Sequence, residues 1–183
     1  MALSSTIFTF DIDLADIDRG VFETLSLKVA RHPSESDEFL VARVLAFCAE
    51  YADGIAFSRG LCEADEPAIA VRDLTGALLA WIDIGTPAPE RLHRATKLAR
   101  RVAVYVHKDY RQWLSALRAS AIHRPEALTL RTLEPAFIGA LVARLQRRTS
   151  IAVTIAGAEV SVAFEGESVS GRVGTIVAGT ELR

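Results

Sequence analysis

One carboxylate follows the most apolar stretch of the chain. Residues 77–82 are six consecutive apolar side chains, and Asp83 comes directly after them. Runs of this kind are typical of strands buried on both faces, where an ionised carboxylate is unfavourable unless a partner compensates it. A second acidic group precedes the neighbouring apolar segment and consists of Glu63, Asp65 and Glu66.

A hairpin brings the two acidic groups together. If residues 74–76 form a three-residue loop with Gly76 in a left-handed conformation, Pro67 faces Asp83 across the hairpin. Asp65 or Glu66 then lies beside Asp83, with about 5–8 Å between Cβ atoms. Carboxylates this close repel unless one is protonated or a cation lies between them, and Mg²⁺ or Mn²⁺ is such a cation. Two alternatives remain: acids at strand ends that face solvent or cap helices, and a register shifted by one residue, which would turn Asp83 to the other face.

The bulk composition predicts one domain over residues 1–183. Half of the 183 residues are hydrophobic, and the net charge is −2, so the chain as a whole lacks the basic character of most nucleic-acid-binding domains. A local basic face is still compatible with that balance. No apolar run approaches the roughly 20 residues of a membrane span, and Cys48 and Cys62 lack CxxC spacing. We expect a cytoplasmic protein without a membrane partner, and the sequence does not indicate its oligomeric state.

The order of predicted elements indicates an α/β fold with a mixed sheet covered by helices and extra strands at both ends. We expect strands over 4–12 and 21–30, then a helix with Ser34 as N-cap and Asp37 three residues later, ending near Tyr51. A short strand at 54–60, a hairpin around the "DLTG" turn and alternating helices and strands follow. The predicted positions after the hairpin are helices at 88–100, 108–122 and 134–148, and strands at 101–107, 126–133, 150–157 and 159–166.

Several stretches resemble a known family in order along nearly the whole chain. They are "TIFTFDIDLADIDRGVFET", "ARHPSESDEFLVARVLAF", "FSRGL", "DEPAIAVRDLTG", "WIDIG" and "RAT…RVAVYVH". With them the chain resembles the bacterial YaeQ family, whose members are largely of unestablished function. That family is similar in fold to PD-(D/E)XK nucleases, so the resemblance implies a restriction-endonuclease-like mixed sheet flanked by helices.

The resemblance also implies roles for individual residues. Glu38 corresponds to the acid of the first nuclease helix, Asp65 or Glu66 to the acid of the first hairpin strand, and Asp83 to the acid of the next. The nuclease pattern expects a lysine where this chain has Gly85. Some relatives of the fold take the basic group from the following helix, and there the choice between two residues stays open: Arg94 and Lys97.

These residues lead to alternative functional hypotheses. The first is Mg²⁺- or Mn²⁺-dependent hydrolysis of a nucleic-acid phosphodiester, in which the acids hold the ion and the ion activates water. The second is a non-catalytic module on the same scaffold that binds nucleic acid or protein, and a small-molecule enzyme is a third.

Further basic and polar residues are candidates for substrate binding. The segment 91–101, "RLHRATKLARR", is the most basic, and it is either a phosphate-tracking face or an ordinary solvated helix surface. Arg31, His32 and Arg59 are candidate substrate ligands. Alternatively, His32 is a histidine hydrogen-bonded at a strand end, and Arg59 pairs with the acids that follow it. The chain has no P-loop, GxGxxG, nucleophile elbow or close-spaced zinc pattern.

Overall fold

A single ten-stranded mixed sheet organises the protein. The computed structural model describes residues 5–58 and 66–177. The elements in these ranges are β1 (Thr6–Asp16), β2 (Val21–Arg31), α1 (Asp37–Ala49), β3 (Ile55–Phe57), β4 (Ile69–Arg72), β5 (Leu78–Ile84), α2 (Pro89–Leu98), β6 (Arg101–Val106), α3 (Arg111–Arg118), β7 (Leu128–Leu133), α4 (Pro135–Val142), β8 (Arg148–Ala156), β9 (Glu159–Phe164) and β10 (Glu167–Val177). The strand order is β2-β1-β8-β9-β10-β7-β6-β5-β4-β3. The pairs β1–β8, β5–β6 and β6–β7 are parallel, and the others are antiparallel.

The first hairpin is longer than the sequence predicted. The polar segment 13–20 was expected to be a loop, but β1 continues to Asp16, and only residues 17–20 connect it to β2. The reason is that inward-facing positions continue along β1 through Leu14 to Asp16. Arg19 binds the buried Asp16 carboxylate through its Nε at 2.6 Å, so the polar residue is compensated and the strand persists.

Helix α1 is buried on all sides. Its N-cap is Ser36, whose hydroxyl accepts from the Phe39 N–H, so the predicted cap at Ser34 was wrong by two residues. The nine residues 40–48 are all buried, which is expected of a helix enclosed by other elements rather than lying on a surface. The nearly closed sheet curves around α1, and strands from both halves of the sheet join α1 in one apolar core.

The second hairpin contains a β-bulge that the sequence did not reveal. Gly76 has φ +84°, and Asp73 faces Ala77 as predicted. The register then shifts between Val71 and Arg72, because a bulge inserts one residue there. The predicted register, with Pro67 facing Asp83, would place Ile69 opposite Trp81, but Ile69 pairs with Ile82. Beyond the last ladder pair, Ala68 takes the place beside Asp83 that the sequence assigned to Pro67.

Helices α2 and α3 cover the outer face of strands β5–β7. Leu92 and Ala95 of α2, with Leu114 and Leu117 of α3, pack on a second apolar cluster that includes Trp81. Both faces of this part of the sheet are therefore covered, which explains the continuous apolar runs of β5 and β6. In the described part of the chain, no helix has the length and apolar character needed to cross a bilayer.

Two predicted helices end early. The helix predicted for 134–148 stops at Val142, and residues from Arg148 onward form β8, which pairs with β1 from Thr9 to Asp16. The helix predicted for 108–122 spans only Arg111–Arg118. Tertiary strand pairing outweighs helix propensity at the first of these boundaries. The coarser prediction of a mixed sheet flanked by helices is confirmed.

Candidate functional site

A cleft opens where the parallel strands β5 and β6 end. It lies between the N-terminal ends of α1 and α2, the place where open α/β sheets commonly bind ligands. Its volume is about 500 Å³, within the range of small-molecule sites. The lining residues come from four segments: Ser34, Glu35, Ser36, Phe39 and Arg43; Ser58, Glu66, Pro67 and Ala68; Asp83, Ile84, Gly85, Thr86, Pro87 and Arg91; and His107 and Lys108.

Asp83 is the buried carboxylate at the end of β5, and it is fully compensated. Only 3% of the residue is exposed. Arg91 donates to both of its oxygens, through Nε to Oδ2 at 2.7 Å and a terminal nitrogen to Oδ1 at 2.9 Å. Trp81 Nε1 donates to Oδ2 at 2.8 Å, and the Ala68 N–H donates to Oδ1 at 3.2 Å. Four donors therefore use the acceptor positions of the carboxylate.

The cation that compensates Asp83 is therefore the Arg91 guanidinium and not a metal ion. Arg91 also donates to the Glu66 carbonyl oxygen at 2.6 Å and lies over the Trp81 ring, 5.1 Å from its centroid. A metal ion at Asp83 would have to displace this guanidinium. Asp65 lies outside the described residues, and within the described ranges no three side chains from His, Cys, Asp and Glu group as metal ligands. The described residues do not fit the Mg²⁺ site that the nuclease resemblance implied.

A second ion pair lies on the α1 side of the cleft. Arg43 and Glu35 are both buried, and one terminal nitrogen of Arg43 lies 3.3 Å from Glu35 Oε2. The same nitrogen donates to the Ala30 carbonyl oxygen at 2.6 Å, and Glu35 Oε2 also accepts from the His32 N–H at 3.0 Å. Burial lowers the pKa of Arg43, and the charge of Glu35 acts in the opposite direction.

His107 directly follows β6, at the same edge of the sheet where Asp83 lies near the end of β5. The residue is 5% exposed, and neither ring nitrogen has a hydrogen-bond partner in the described chain. Burial lowers the pKa of His107, with a contribution from the neighbouring Lys108, which favours the neutral imidazole. Glu38 is close enough to raise the pKa of His107. The pKa of Glu38 is itself lowered, first by its own backbone N–H and then by the Ser36 hydroxyl.

Four further predicted site residues do not line the cleft: Arg31, His32, Arg94 and Lys97. Arg94 and Lys97 are exposed on α2, whereas the basic group that contacts Asp83 is Arg91, one turn earlier. A role for Arg94 or Lys97 as the basic group of the nuclease pattern stays a prediction. Arg31 pairs with Asp37, and His32 Nδ1 lies 2.6 Å from the Ser34 hydroxyl, so both belong to the junction of β2 and α1. Arg59 lies outside the described residues.

The outer helices form a strongly basic surface beside the cleft. Residues 91–124 contain nine Arg and Lys and one acidic residue, although the whole chain has a net charge of −2. We call the exposed cations of this segment the basic layer; its members are Arg94, Lys97, Arg100, Arg101, Lys108, Arg111, Arg118 and Arg124. Some of these charges are locally balanced, as Arg101 is by Glu50 and Arg111 by Asp109. Lys97 and Arg100 form no ion pair with residues of the described chain.

Sequence reasoning missed Glu35, Arg43 and His107 as site residues. A signal was present for each. Arg43 interrupts the apolar run of α1, and Glu35 precedes it by eight residues, about two helical turns. His107 follows an apolar strand just as Asp83 does. Because adjacent parallel strands end at the same edge of a sheet, two such polar ends predict one shared site.

Comparison with known proteins places the chain in a family. The model for "YaeQ protein" matches residues 1–173. The chain belongs to the YaeQ family. It is 39% identical to "Uncharacterized protein YaeQ" of Escherichia coli (strain K12), and equally to that of Shigella flexneri, over 110 residues. Each alignment covers 60% of this chain and 60% of the relative's length.

Two solved YaeQ structures share the whole architecture. The YaeQ protein from Xanthomonas axonopodis pv. citri superposes with a TM-score of 0.87 at 33% identity, covering 96% of this chain and 99% of the other. The YaeQ protein from Pseudomonas syringae has a TM-score of 0.88 at 28% identity, covering 94% and 96%. The family assignment therefore rests on sequence and on fold.

Proposed function

We propose that this YaeQ-family chain is a nucleic-acid-binding protein whose contact surface is the basic layer of α2 and α3. The observation that carries the proposal is the charge asymmetry: nine cations against one acid over residues 91–124 of a chain with net charge −2. Proteins that bind the phosphate backbone concentrate Lys and Arg on one face in this way. The apolar sides of both helices are used in packing, so their charged sides point outward.

The basic segment reaches the cleft at two of its residues. Trp113 of α3 donates through Nε1 to the Pro87 carbonyl oxygen at 2.7 Å, which fixes α3 against the loop before α2. Arg91 and Lys108 line the cleft and belong to the same basic segment. A strand bound at Lys108 would therefore lie beside the cleft.

Hydrolysis is a second candidate, and it depends on whether one contact can open. Arg91 binds both the Asp83 carboxylate and the Glu66 backbone, so a single movement of Arg91 would expose Asp83 next to Glu66. We propose further that α1 to β6, residues 37–106, corresponds to the PD-(D/E)XK core. Metal-dependent hydrolysis by Glu38, Asp65 or Glu66, and Asp83 would require that movement. Binding needs no rearrangement, so the geometry favours it.

The test compares two charge-reversed proteins of equal net charge. Lys97→Glu/Arg100→Glu changes the basic layer, and Lys28→Glu/Arg172→Glu changes exposed cations on β2 and β10. Binding of labelled single- and double-stranded DNA and RNA is followed by fluorescence anisotropy at several salt concentrations. We expect the first protein to lose affinity for all sequences alike.

The salt dependence identifies the contact as phosphate binding. For Lys97→Ala/Arg100→Ala, the slope of log K against log[salt] should decrease by about 2, one for each lost phosphate contact. Equal affinities of the two charge-reversed proteins would contradict the proposal. Cleavage that requires Mg²⁺ or Mn²⁺ and disappears in Asp83→Asn would select the second candidate instead.

A further inference from the structure

The outer edge of β2 is long and regular. β2 is the last strand of the sheet order, and in the described part of the chain no strand lies on its outer side. Its eleven residues pair with β1 without a bulge and include no proline. Native proteins commonly block such edges with prolines, bulges or charges, because an open edge pairs readily with another strand. The charges on β2 are Glu23, Lys28 and Arg31, so a pairing strand has to match them.

Alternate residues of β2 direct their main-chain groups to this edge. The Thr9 N–H donates toward β8, so the odd-numbered residues of β1 face β8 and the even-numbered ones face β2. Phe10 lies opposite Leu27, and the two residues of a hydrogen-bonded pair exchange both bonds. β1 therefore uses the odd-numbered residues of β2. One acceptor at the outer edge, the Ala30 carbonyl oxygen, already binds Arg43. The residues whose main-chain groups are directed to that edge are 22, 24, 26, 28 and 30.

The inner face of β2 carries an apolar row that is only partly covered. Leu25 and Leu27 pack against the core but are half-buried, whereas Val29 beside them is fully buried. An added strand with apolar side chains on the same face would cover the two leucines. Removal of their surface from water favours association.

The two ends of β2 carry opposite charge. Near its start, the acids Glu23 and Asp53 interact electrostatically with the same tyrosine. At its end, the guanidinium groups of Arg31 and Arg147 each lie 5.4 Å from the centroid of one buried phenylalanine ring, and Asp37 pairs with Arg31. The end therefore has two arginines beside one acid. Antiparallel pairing of two such strands brings unlike charges together, which selects the partner and the register.

We propose that β2 pairs with β2 of a second copy of the chain, antiparallel and with Leu27 on the two-fold axis. A two-fold interface uses the same patch on both subunits, so each contact occurs twice. In this register Leu25 lies opposite the partner's Val29, and Glu23 lies opposite the partner's Arg31. The half-buried leucines are covered, and the acidic end of each strand meets the basic end of the other.

The position of Glu23 disfavours the neighbouring registers. With the axis at Ser26, its carboxylate would lie opposite the partner's Val29, and with the axis at Leu25 it would lie opposite the partner's Leu27. A charge placed against an apolar side chain without a cation is unfavourable. An unrelated strand would need a cation at the one matching position, whereas a second copy supplies it by symmetry. The occupant that fits this edge is therefore another molecule of the same protein.

The oligomeric state of the unmodified protein is the first measurement. Size-exclusion chromatography with light scattering, over a series of protein concentrations, should give the mass of two chains at the highest concentrations. A monomer at every concentration would overturn the proposal.

Two substitutions at Ser26 locate the contact. Ser26→Pro removes an N–H directed to the outer edge, where proline is tolerated within a strand. Ser26→Ala keeps that N–H, and both variants lose the bond from the Ser26 hydroxyl to Asp11, so the comparison isolates the main-chain donor. We expect the dissociation constant of the dimer to rise about tenfold or more in Ser26→Pro, because two hydrogen bonds are lost about the axis. It should stay unchanged in Ser26→Ala, and equal constants for the two variants would contradict the proposal.

Disulfide cross-linking tests the register and does not depend on the proline variant. In a Cys62→Ser background, Leu27→Cys places two thiols at the axis with about 4.5–5.5 Å between Cβ atoms, close to the separation that a disulfide needs. Leu25→Cys is the matched control, because the two copies of residue 25 would lie about 13 Å apart along the strands. We expect oxidation to give a covalent dimer for Leu27→Cys alone, since the remaining Cys48 is buried.

The other outcomes also decide. A covalent dimer of Leu25→Cys instead of Leu27→Cys would overturn the proposed register. A dimer that forms neither cross-link and is unaffected by Ser26→Pro would lie at another surface and overturn the inference. Because β2 lies outside the basic layer, none of these results depends on nucleic-acid binding.

Discussion

Removal of the Arg91 side chain tests whether Asp83 is held as an ion pair. In Arg91→Ala the Asp83 carboxylate would keep the Trp81 and Ala68 donors but lose both guanidinium bonds. Removing one partner of a buried pair typically costs about 3–5 kcal/mol. The Arg91 side chain is 26% exposed, so water replaces part of the lost interaction, and we expect about 3 kcal/mol.

This free energy converts to a measurable shift in melting temperature. An unfolding entropy of about 2.1 cal/mol/K per residue gives about 0.4 kcal/mol/K for a chain of 183 residues. The Tm of Arg91→Ala should therefore fall by about 8 °C in differential scanning calorimetry. The matched control is Arg111→Ala, because Arg111 binds the Asp109 carboxylate with similar geometry at an exposed position. Its Tm should not change measurably.

Metal addition extends the same experiment. Millimolar Mg²⁺ should raise the Tm of Arg91→Ala, because the ion can occupy the place of the guanidinium beside Asp83, and should leave the unmodified protein unchanged. A fall in Tm for Arg91→Ala no larger than for Arg111→Ala would refute the description of Asp83 as a compensated buried charge. A Mg²⁺-induced rise in the unmodified protein would show that Arg91 is easily displaced.

Three further predictions concern titration, packing and reactivity. The lowered pKa of His107 makes the unfolded chain bind more protons than the folded chain below about pH 6.5. In urea unfolding, the stability of the unmodified protein relative to His107→Phe should therefore be constant above that pH and decrease as the pH falls through the folded pKa; a difference that does not change with pH would contradict this. Gly171→Ala should lower the Tm, because the new Cβ would lie 2.2 Å from a buried ring carbon, whereas Gly139→Ala, with open space in a helix, should not lower it; equal shifts would refute the packing argument. Burial raises the pKa of Cys48 to about 12, so in Cys62→Ser a thiol reagent should label Cys48 only after denaturation, and labelling of the folded protein would contradict its burial.

The fold was predictable where local pattern and tertiary structure agree. Strands β5 and β6 were visible as apolar runs, and the glycine turn at Gly76 was correct. The bulge between Val71 and Arg72 was not predictable, because nothing in the local sequence requires it. The early end of α4 was missed because residues 143–147, between α4 and β8, have good helix propensity, and the pairing of β8 with β1 is a long-range interaction.

The central residue of the site was predicted correctly, but the group that binds it was not. Asp83 was identified correctly as a buried carboxylate that needs a partner, but the predicted partners were other acids and a metal ion. Arg91 was available eight residues later, at the start of the crossover helix, and the geometry of a β–α–β unit brings such a residue near the strand end. The register error of one residue favoured Pro67 and its acidic neighbours instead. Glu35 and Arg43 were missed because neither contacts Asp83.

The pairing of β1 with β8 determines when the protein can complete its fold. Thr9 lies opposite Arg148, and Asp16 opposite Ile155, so the first hairpin receives its neighbour only after most of the chain has been synthesised. Until then one edge of β1 is open to other molecules, and pairings of such long sequence separation form slowly. We expect rapid expression to yield aggregates at the expense of native protein, and slower translation to improve recovery.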